Sequence, residues 1–303
     1  MYTIDKLYES VVRRGAVCVG LDTAPSYLPP REMRNAVSAA AAVLDYNKAI
    51  IDATFDACAC YKVQIAYYEA LGLAGLASYA ETLRYIRKKN GLVIADIKRG
   101  DIADTARQYA YAHFTGEFEA DFVTLSPYMG MDSLEPWLYY AKSTGKGAFV
   151  LMRTSNKGMR DFEYQEMKDG GRLYHAVGDK LSGLATAYAG AYGYGAFGAI
   201  VGCTGQEEEA EAIRRKYSNL FFLIPGYGAQ GGAADGAAAL LQNGNGGIVN
   251  ASRSILKAWL MAVSNTADAD ETTLESIDNR TAAEAAYKEV VSMRDTIRNR
   301  VKE

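Results

Sequence analysis

The sequence predicts an α/β protein with the (β/α)8 TIM-barrel fold, and three observations support this prediction. Eight short runs rich in apolar residues recur along the chain, and helical segments separate them. Each run is nearly free of polar residues, as expected for parallel strands that are buried on both faces. The chain has 303 residues, 49% of them apolar, which is enough to bury one such barrel. We therefore expect one barrel domain that spans residues 1–303.

The predicted strands occupy eight runs along the chain. In order they are Ala16–Leu21, Ala57–Lys62, Leu92–Asp96, Phe122–Leu125, Ala148–Met152, Ala196–Val201, Phe221–Ile224 and Gly247–Asn250. Eight parallel strands are the number that closes a barrel of this kind.

Helical segments lie before and between the predicted strands. An N-terminal helix from about Ile4 to Arg14 is expected to close the floor of the barrel. The stretches Val37–Thr54 and Tyr67–Asn90 are also expected to be helical. The pair Asn90-Gly91 is a stop signal, because Asn and Gly tolerate the left-handed backbone conformation that ends many helices.

Two segments extend the predicted barrel beyond its repeating unit. The insertion from Arg153 to about Arg172 follows the fifth strand, and long ordered loops of this fold usually lie over the active site. Near the C-terminus, Thr281-Ala282-Ala283-Glu284 has the spacing of a capping box. It predicts a C-terminal helical extension to about Arg298 that packs on the barrel.

Composition and charge argue against several classes of protein. The formal net charge is −3, and Lys and Arg form no long run, so neither nucleic acid nor a membrane surface is an expected partner. The N-terminus has no leader pattern, and no run of about 18 apolar residues could span a membrane. The four cysteines lie in apolar stretches without metal-binding spacing, and are Cys18, Cys58, Cys60 and Cys203. We expect buried free thiols, no metal site and a cytoplasmic location.

Charged residues stand where the second and third predicted strands end, which is the active-site end of a TIM barrel. Lys62 follows an apolar run, so it must either extend to water or be held charged by acidic partners. Asp96 and Lys98 are two residues apart on the next strand, which places both side chains on one face. If that face is the barrel mouth, charges of both signs converge there.

The third strand continues into an alternation of charges. Taken alone, Asp101 could simply be an acidic residue at the start of a helix, where a negative charge is favourable. A helix start needs only one acceptor, however, and the whole run from Asp96 to Thr105 contains more charge than capping explains. Together with Lys62, the pattern favours a catalytic cluster.

A candidate phosphate site follows the last two predicted strands. The run Pro225–Gly232 is rich in glycine, which allows backbone N–H groups, such as that of Gly228, to approach an anion. Ser252 offers a further N–H group, and the Arg253 guanidinium can bind phosphate through two hydrogen bonds. Tight turns and a surface ion pair would explain these residues separately. Their pairing after strands seven and eight is typical of phosphate binding in this fold.

Polar residues also follow the fifth strand. The hydroxyl and amide groups of Thr154, Ser155 and Asn156 could read the polar edge of a base. Ser155 or Asn156 could instead cap the next segment.

These residues resemble the orotidine 5'-phosphate decarboxylase family, in particular its longer bacterial branch, over nearly the whole chain. The motifs that carry the resemblance are Gly20-Leu21-Asp22, Tyr61–Ala66, Asp96–Thr105, Arg153–Asn156, Pro225–Gly232 and Asn250–Arg253. The third-strand motif is shared with related phosphosugar barrels. Lys62 narrows the resemblance to the decarboxylase family. Val63 and Lys157 depart from the branch, which usually has proline at both positions.

The resemblance implies a role for each site residue. Lys62, Asp96, Lys98 and Asp101 would form a charged tetrad, in which Asp101 reaches into the site of a neighbouring subunit. Asp22 and Lys62 would contact the ribose, and Ser155 would read the pyrimidine. Gln230 and Arg253 would hold the phosphate. Pro225 would also contact the substrate, as would Thr105 from the other subunit. The protein would be a homodimer with shared active sites and would need no cofactor.

The implied reaction is the decarboxylation of orotidine 5'-phosphate to uridine 5'-phosphate, the last step of de novo pyrimidine synthesis. Asp96 would lie against the substrate carboxylate. Lys98 would stabilise the carbanion that develops at C6 of the pyrimidine and then protonate it.

Two other functions stay open at this point. A magnesium-dependent phosphosugar barrel, such as a hexulose phosphate synthase or a ketogulonate phosphate decarboxylase, would carry an acid on the second strand to help bind the metal. Lys62 would repel that ion. A non-catalytic protein that binds pyrimidine nucleotides would need the phosphate site but not the alternating charges.

Overall fold

A computed structural model describes residues 1–168, 170–228, 233–264 and 271–301. Eight parallel strands pair in chain order, and the last pairs with the first to close a barrel. The strands are β1 (Val17–Gly20), β2 (Cys60–Gln64), β3 (Val93–Arg99), β4 (Phe122–Leu125), β5 (Gly147–Arg153), β6 (Phe197–Val201), β7 (Phe222–Ile224) and β8 (Gly247–Ala251). The predicted (β/α)8 barrel is confirmed.

The connections between the strands contain the helices. They are α1 (Thr3–Arg14), α2 (Pro30–Asn35), α3 (Ala39–Thr54), α4 (Ala66–Glu69), α5 (Gly72–Lys88), α6 (Ala103–Phe114), α7 (Glu135–Thr144), α8 (Met159–Phe162), α9 (Leu173–Ala187), α10 (Glu207–Lys216), α11 (Ala234–Ala239), α12 (Arg253–Leu256), α13 (Ala258–Ser264), α14 (Glu271–Ser276) and α15 (Asn279–Arg298). Short 3-10 turns add Pro25–Tyr27 and Met131–Leu134.

Two differences from the predicted elements have local reasons. Strand β2 begins at Cys60 and not at Ala57, because the Ala57 N–H closes a turn onto the last residue of α3. The helix expected over Tyr67–Asn90 is divided into α4 and α5, since Gly72 has a left-handed φ of 67°. The stop signal at Asn90 is confirmed, with a φ of 61° at that residue.

The N-terminal helix lies at the amino ends of the strands. The Thr3 N–H donates to the carbonyl of Gly145, just before β5, and the Ser10 hydroxyl donates to the carbonyl of Ala59, just before β2. The buried Asp5 carboxylate accepts a hydrogen bond from the N–H of Ala191, ahead of β6. These contacts confirm that α1 closes the barrel floor.

The C-terminal helix α15 packs against α3, α12 and α13, which confirms a helical extension on the barrel. The capping box predicted at Thr281 is wrong. Asp278 is the N-cap, and its carboxylate accepts a hydrogen bond from the Thr281 N–H at 2.8 Å. Thr281 therefore lies inside the first turn, because the chain offers a carboxylate acceptor three residues earlier.

All four cysteines are buried and free, as predicted. In the part of the chain that the structure describes, no helix has the length and apolar character needed to cross a membrane.

Candidate active site

A cavity of about 400 Å³ opens at the carboxyl ends of the strands, and this volume suits a small organic ligand. Most of the predicted site residues line it: Asp22 after β1, Lys62 in β2, Asp96 and Lys98 in β3, Ser155 after β5, Pro225 after β7, and Ser252 and Arg253 after β8. Residues far apart in the sequence meet here, because parallel strands end at the same rim.

The charged side chains form one ion-paired cluster. The Lys62 ammonium lies 2.9 Å from a carboxylate oxygen of Asp22 and 2.9 Å from one of Asp96. The Lys98 ammonium lies 2.7 Å from the other oxygen of Asp96. Lys62 is only 5% exposed, so it is held between acids and does not extend to water. The cluster thus places two ammonium groups against one buried carboxylate.

The surroundings fix the charge states of this cluster. Burial alone would raise the pKa of the Asp96 carboxyl, but the ammonium groups of Lys62 and Lys98 outweigh burial and hold that pKa well below its usual range. Burial would lower the pKa of Lys62, but Asp22 and Asp96 outweigh it and raise that pKa above its usual range. Both side chains therefore stay charged at neutral pH.

An irregularity in β3 positions Lys98. The pairing of β3 with β4 changes register between Ala95 and Arg99, and Lys98 has a left-handed φ of 44°. The hydroxyl of Thr124 in β4 accepts hydrogen bonds from the N–H groups of Ile97 at 3.0 Å and Lys98 at 2.9 Å. It also donates to Asp96 at 2.8 Å. Sequence reasoning missed Thr124, although a polar residue in an apolar strand was a visible signal.

The chain after β7 and β8 forms a further part of the cavity wall. Gly226 lines it with a φ of 101°, and a Cβ there would lie 2.9 Å from the side chain of Ser155. The Ser252 hydroxyl donates to Asp22 at 3.0 Å. Gly228 is not among the residues that line the cavity, and the predicted phosphate contact Gln230 lies outside the described residues.

The insertion after β5 holds the segment that contains Ser155. Glu163 folds back so that its carboxylate accepts the N–H of Thr154 at 2.8 Å and the Thr154 hydroxyl at 2.7 Å. The Thr204 hydroxyl donates to the Ser155 carbonyl at 2.9 Å. Arg153 is fully buried and donates to the Thr204 carbonyl at 2.6 Å. Thr154, Ser155 and Asn156 line the cavity, as predicted for the insertion.

Asp101 and Thr105 do not line the cavity. The Asp101 carboxylate accepts a hydrogen bond from the N–H of Ile102, and Thr105 is exposed on α6. Beside them, a surface groove is lined in part by Ile102, Tyr111 and Tyr139, whose side chains are exposed. Of the four residues of the predicted tetrad, Lys62, Asp96 and Lys98 are thus in contact in this structure, and Asp101 is not part of their cluster.

Among the residues that the structure describes, no group of three or more His, Cys, Asp or Glu side chains is arranged to hold a metal ion. In the cavity, the Lys62 ammonium lies between the two carboxylates of Asp22 and Asp96.

The sequence is similar to a family and to several proteins that are named for the activity implied by the sequence motifs. Residues 15–264 match the orotidine 5'-phosphate decarboxylase / HUMPS family. A protein from Clostridium perfringens named orotidine 5'-phosphate decarboxylase is 54% identical over 297 residues, 98% of each chain. One of the same name from Clostridium kluyveri is 56% identical over 256 residues, 84% of this chain and 88% of the relative.

A solved structure shows the same architecture. The Leishmania donovani OMP decarboxylase is 32% identical with a TM-score of 0.71, and the match covers 97% of this chain and 99% of that one. With a family match over most of its length and relatives more than half identical, this chain belongs to the orotidine 5'-phosphate decarboxylase / HUMPS family.

Proposed function

We propose that this protein converts orotidine 5'-phosphate to uridine 5'-phosphate and carbon dioxide. The observation that carries the proposal is the ion-paired cluster of Lys62, Asp96 and Lys98 in the wall of the cavity. The relatives that bear this enzyme's name, at 54% identity over nearly the full chain, support it. The reaction would be the last step of the synthesis of uridine 5'-phosphate.

In this mechanism the cluster acts on the carboxylate at C6 of the pyrimidine. The bond between C6 and the carboxylate carbon breaks, carbon dioxide leaves, and the electron pair stays on C6. The Lys98 ammonium stabilises that charge and donates a proton to C6, and Lys98 then recovers a proton from water. Because the ammonium is already fixed 2.7 Å from Asp96, little reorganisation is needed. Repulsion between Asp96 and the substrate carboxylate adds to the driving force for its loss.

The rest of the cavity would bind the nucleotide. Asp22 and Lys62 contact the ribose, Ser155 reads the pyrimidine and Pro225 packs against the substrate. The phosphate is held by Arg253, by Gln230 and by the backbone N–H groups of Gly228 and Ser252. The binding energy of the remote phosphate would then favour the reaction at C6.

The alternatives are less well supported. A magnesium-dependent phosphosugar enzyme needs oxygen ligands where the Lys62 ammonium lies between Asp22 and Asp96. A protein that only binds nucleotides would gain little from burying this charged cluster, since buried charges are costly unless they are paired. We therefore propose an enzyme that needs no cofactor.

Substrate identity is tested with purified protein and two candidate substrates. We expect the ultraviolet absorbance change of orotidine 5'-phosphate conversion, and no reaction of a hexulose phosphate with added magnesium. Reaction of the sugar phosphate alone would contradict the proposal. Tight nucleotide binding without turnover would favour the non-catalytic alternative.

We further propose a homodimer in which Asp101 and Thr105 complete the site of the other subunit. Neither residue lines the cavity formed by its own chain, which supports this arrangement, as does the neighbouring groove with exposed Ile102, Tyr111 and Tyr139. Exposed apolar patches of this kind are typical of interfaces.

Mixing two inactive variants tests the shared site. A dimer of one Lys98→Ala subunit and one Asp101→Ala subunit would retain one intact site, so random exchange should restore about a quarter of the wild-type activity. Mixing Lys98→Ala with Lys62→Ala is the control, because both residues belong to the same subunit's cluster and no intact site can form. No recovery in the first mixture, despite demonstrated subunit exchange, would contradict the arrangement.

The cytoplasmic location, the lack of nucleic-acid or membrane partners and the organisation of residues 1–303 as one domain stay predictions.

A further inference from the structure

We propose that Thr124 is a positioning residue that sets the geometry of Lys98 and Asp96 for the reaction. This inference rests on the proposed function, because it concerns the same reacting cluster. Thr124 lies in β4, is completely buried and does not line the cavity. It would therefore act only through the residues that it holds.

The Thr124 hydroxyl uses its full hydrogen-bonding capacity. A hydroxyl has one donor and two acceptor positions. The donor is directed at the Asp96 oxygen that also receives the Lys98 ammonium, with distances of 2.8 Å and 2.7 Å. The two acceptor positions receive the N–H groups of Ile97 and Lys98. One oxygen atom thus fixes both partners of the Asp96–Lys98 ion pair.

These contacts coincide with a strained part of the backbone. Lys98 has a φ of 44°, a conformation that costs free energy for any residue other than glycine and persists only where the surroundings impose it. At this point the regular pairing of β3 with β4 is interrupted, and with it the regular series of strand hydrogen bonds. The side chain of Thr124 replaces them at two consecutive N–H groups.

The position of the Lys98 ammonium depends on this arrangement. Its side chain is 47% exposed, so packing by itself does not fix it. Without the Thr124 hydroxyl, the buried N–H group of Ile97 and the partly buried N–H group of Lys98 would lose that acceptor, and the segment would relax. A displacement of about 1 Å in a reacting group can reduce a rate about 100-fold.

The experiment compares Thr124→Val with Thr124→Ser. The first removes the hydroxyl at nearly constant volume, and the second keeps it. Thr82→Val is the matched control, because Thr82 is equally buried and its hydroxyl donates to the Ser78 carbonyl within α5. For each variant we would measure kcat and KM for orotidine 5'-phosphate and the affinity for uridine 5'-phosphate.

We expect Thr124→Val to lower kcat by about 10- to 100-fold, while its affinity for uridine 5'-phosphate stays within about threefold of wild type. The kcat of Thr124→Ser and of Thr82→Val should also stay within about threefold of wild type. A kcat of Thr124→Val within about threefold of wild type would overturn the inference. So would an equal loss in Thr124→Ser, or an equal loss of nucleotide affinity. If Thr124→Val does not fold, Thr124→Ala against Thr124→Ser gives the same comparison of hydroxyl with no hydroxyl.

A crystal structure separates this inference from the proposed function. If the wild-type protein does not convert orotidine 5'-phosphate, the proposed function fails, but the structure of Thr124→Val still tests the positioning. We expect Lys98 to leave the left-handed conformation and its ammonium to leave Asp96. An unchanged Lys98 would overturn the inference.

Discussion

Replacing Lys98 with alanine is expected to abolish turnover while the barrel still folds. Lys98 is the residue that we propose both stabilises the developing charge and donates the proton, so kcat should fall by about 10⁴-fold or more. The fold should persist, because the side chain is half-exposed and Asp96 keeps its hydrogen bonds to Lys62 and Thr124. Alanine also tolerates the left-handed φ at this position no worse than lysine does.

The comparison for Lys98→Ala is Lys180→Ala, which removes an exposed lysine on α9. Activity is followed by the loss of orotidine 5'-phosphate absorbance, and folding by circular dichroism. Normal affinity for uridine 5'-phosphate without turnover is the predicted result. Decarboxylation at a rate close to that of wild type would remove Lys98 as the proton donor.

Replacing Lys62 with methionine is expected to reduce both activity and stability. The variant leaves the carboxylates of Asp22 and Asp96 without the ammonium that lies between them. Removing one partner from a buried ion pair costs about 3–5 kcal/mol, and the lower end applies here because Asp96 keeps Lys98. The rate should fall at least about 100-fold, since the charge arrangement around the reacting carboxylate is lost.

The stability loss in Lys62→Met should depend on pH in a defined direction. In the wild type the folded pKa of Asp96 is depressed, so its contribution to stability is present above the unfolded pKa of about 4 and is lost as the pH falls below it. In the variant the pKa of Asp96 rises, because one of its two ammonium partners is gone. The difference in free energy of unfolding between the wild type and Lys62→Met should therefore be largest at neutral pH and should become smaller under acid conditions.

This difference is measured by urea unfolding of the wild type, Lys62→Met and Lys180→Met. All three are compared at one protein concentration and at several pH values. Lys180→Met should match the wild type at every pH, since its side chain is exposed. A stability loss in Lys62→Met that does not change with pH would show that packing, and not charge pairing, is what Lys62 supplies.

Much of the barrel could be predicted because its strands are buried on both faces. Runs such as Phe122–Leu125 are short and apolar, and the structure has β4 with those bounds. The boundaries differ from the prediction where side chains or turns override the apolar pattern. Strand β3 continues to Arg99 although the apolar run ends at Asp96, because the barrel rim accommodates the charged residues that follow.

The site was predictable where a polar residue interrupts an apolar strand at the rim. Lys62, Asp96 and Lys98 were found in this way, and they are in contact. Thr124 obeys the same rule but is small and uncharged, and its role depends on a register change that the sequence does not reveal.

Glu163 shows a second limit of sequence reasoning. Its contact with Thr154 is made by the folding of the insertion back onto the strand end. The proposed role of Asp101 in the site of a second subunit is a third limit, because no pattern within one chain describes such a contact.

The central claim is that a fixed cluster of protein charges carries out the decarboxylation without a metal ion. It is tested by measuring the conversion of orotidine 5'-phosphate before and after exhaustive treatment with a chelator, with magnesium added back to a third sample. We predict the same rate in all three samples. Loss of turnover in the chelator, restored by magnesium, would contradict the claim and assign Asp22 and Asp96 to a metal instead of to Lys62.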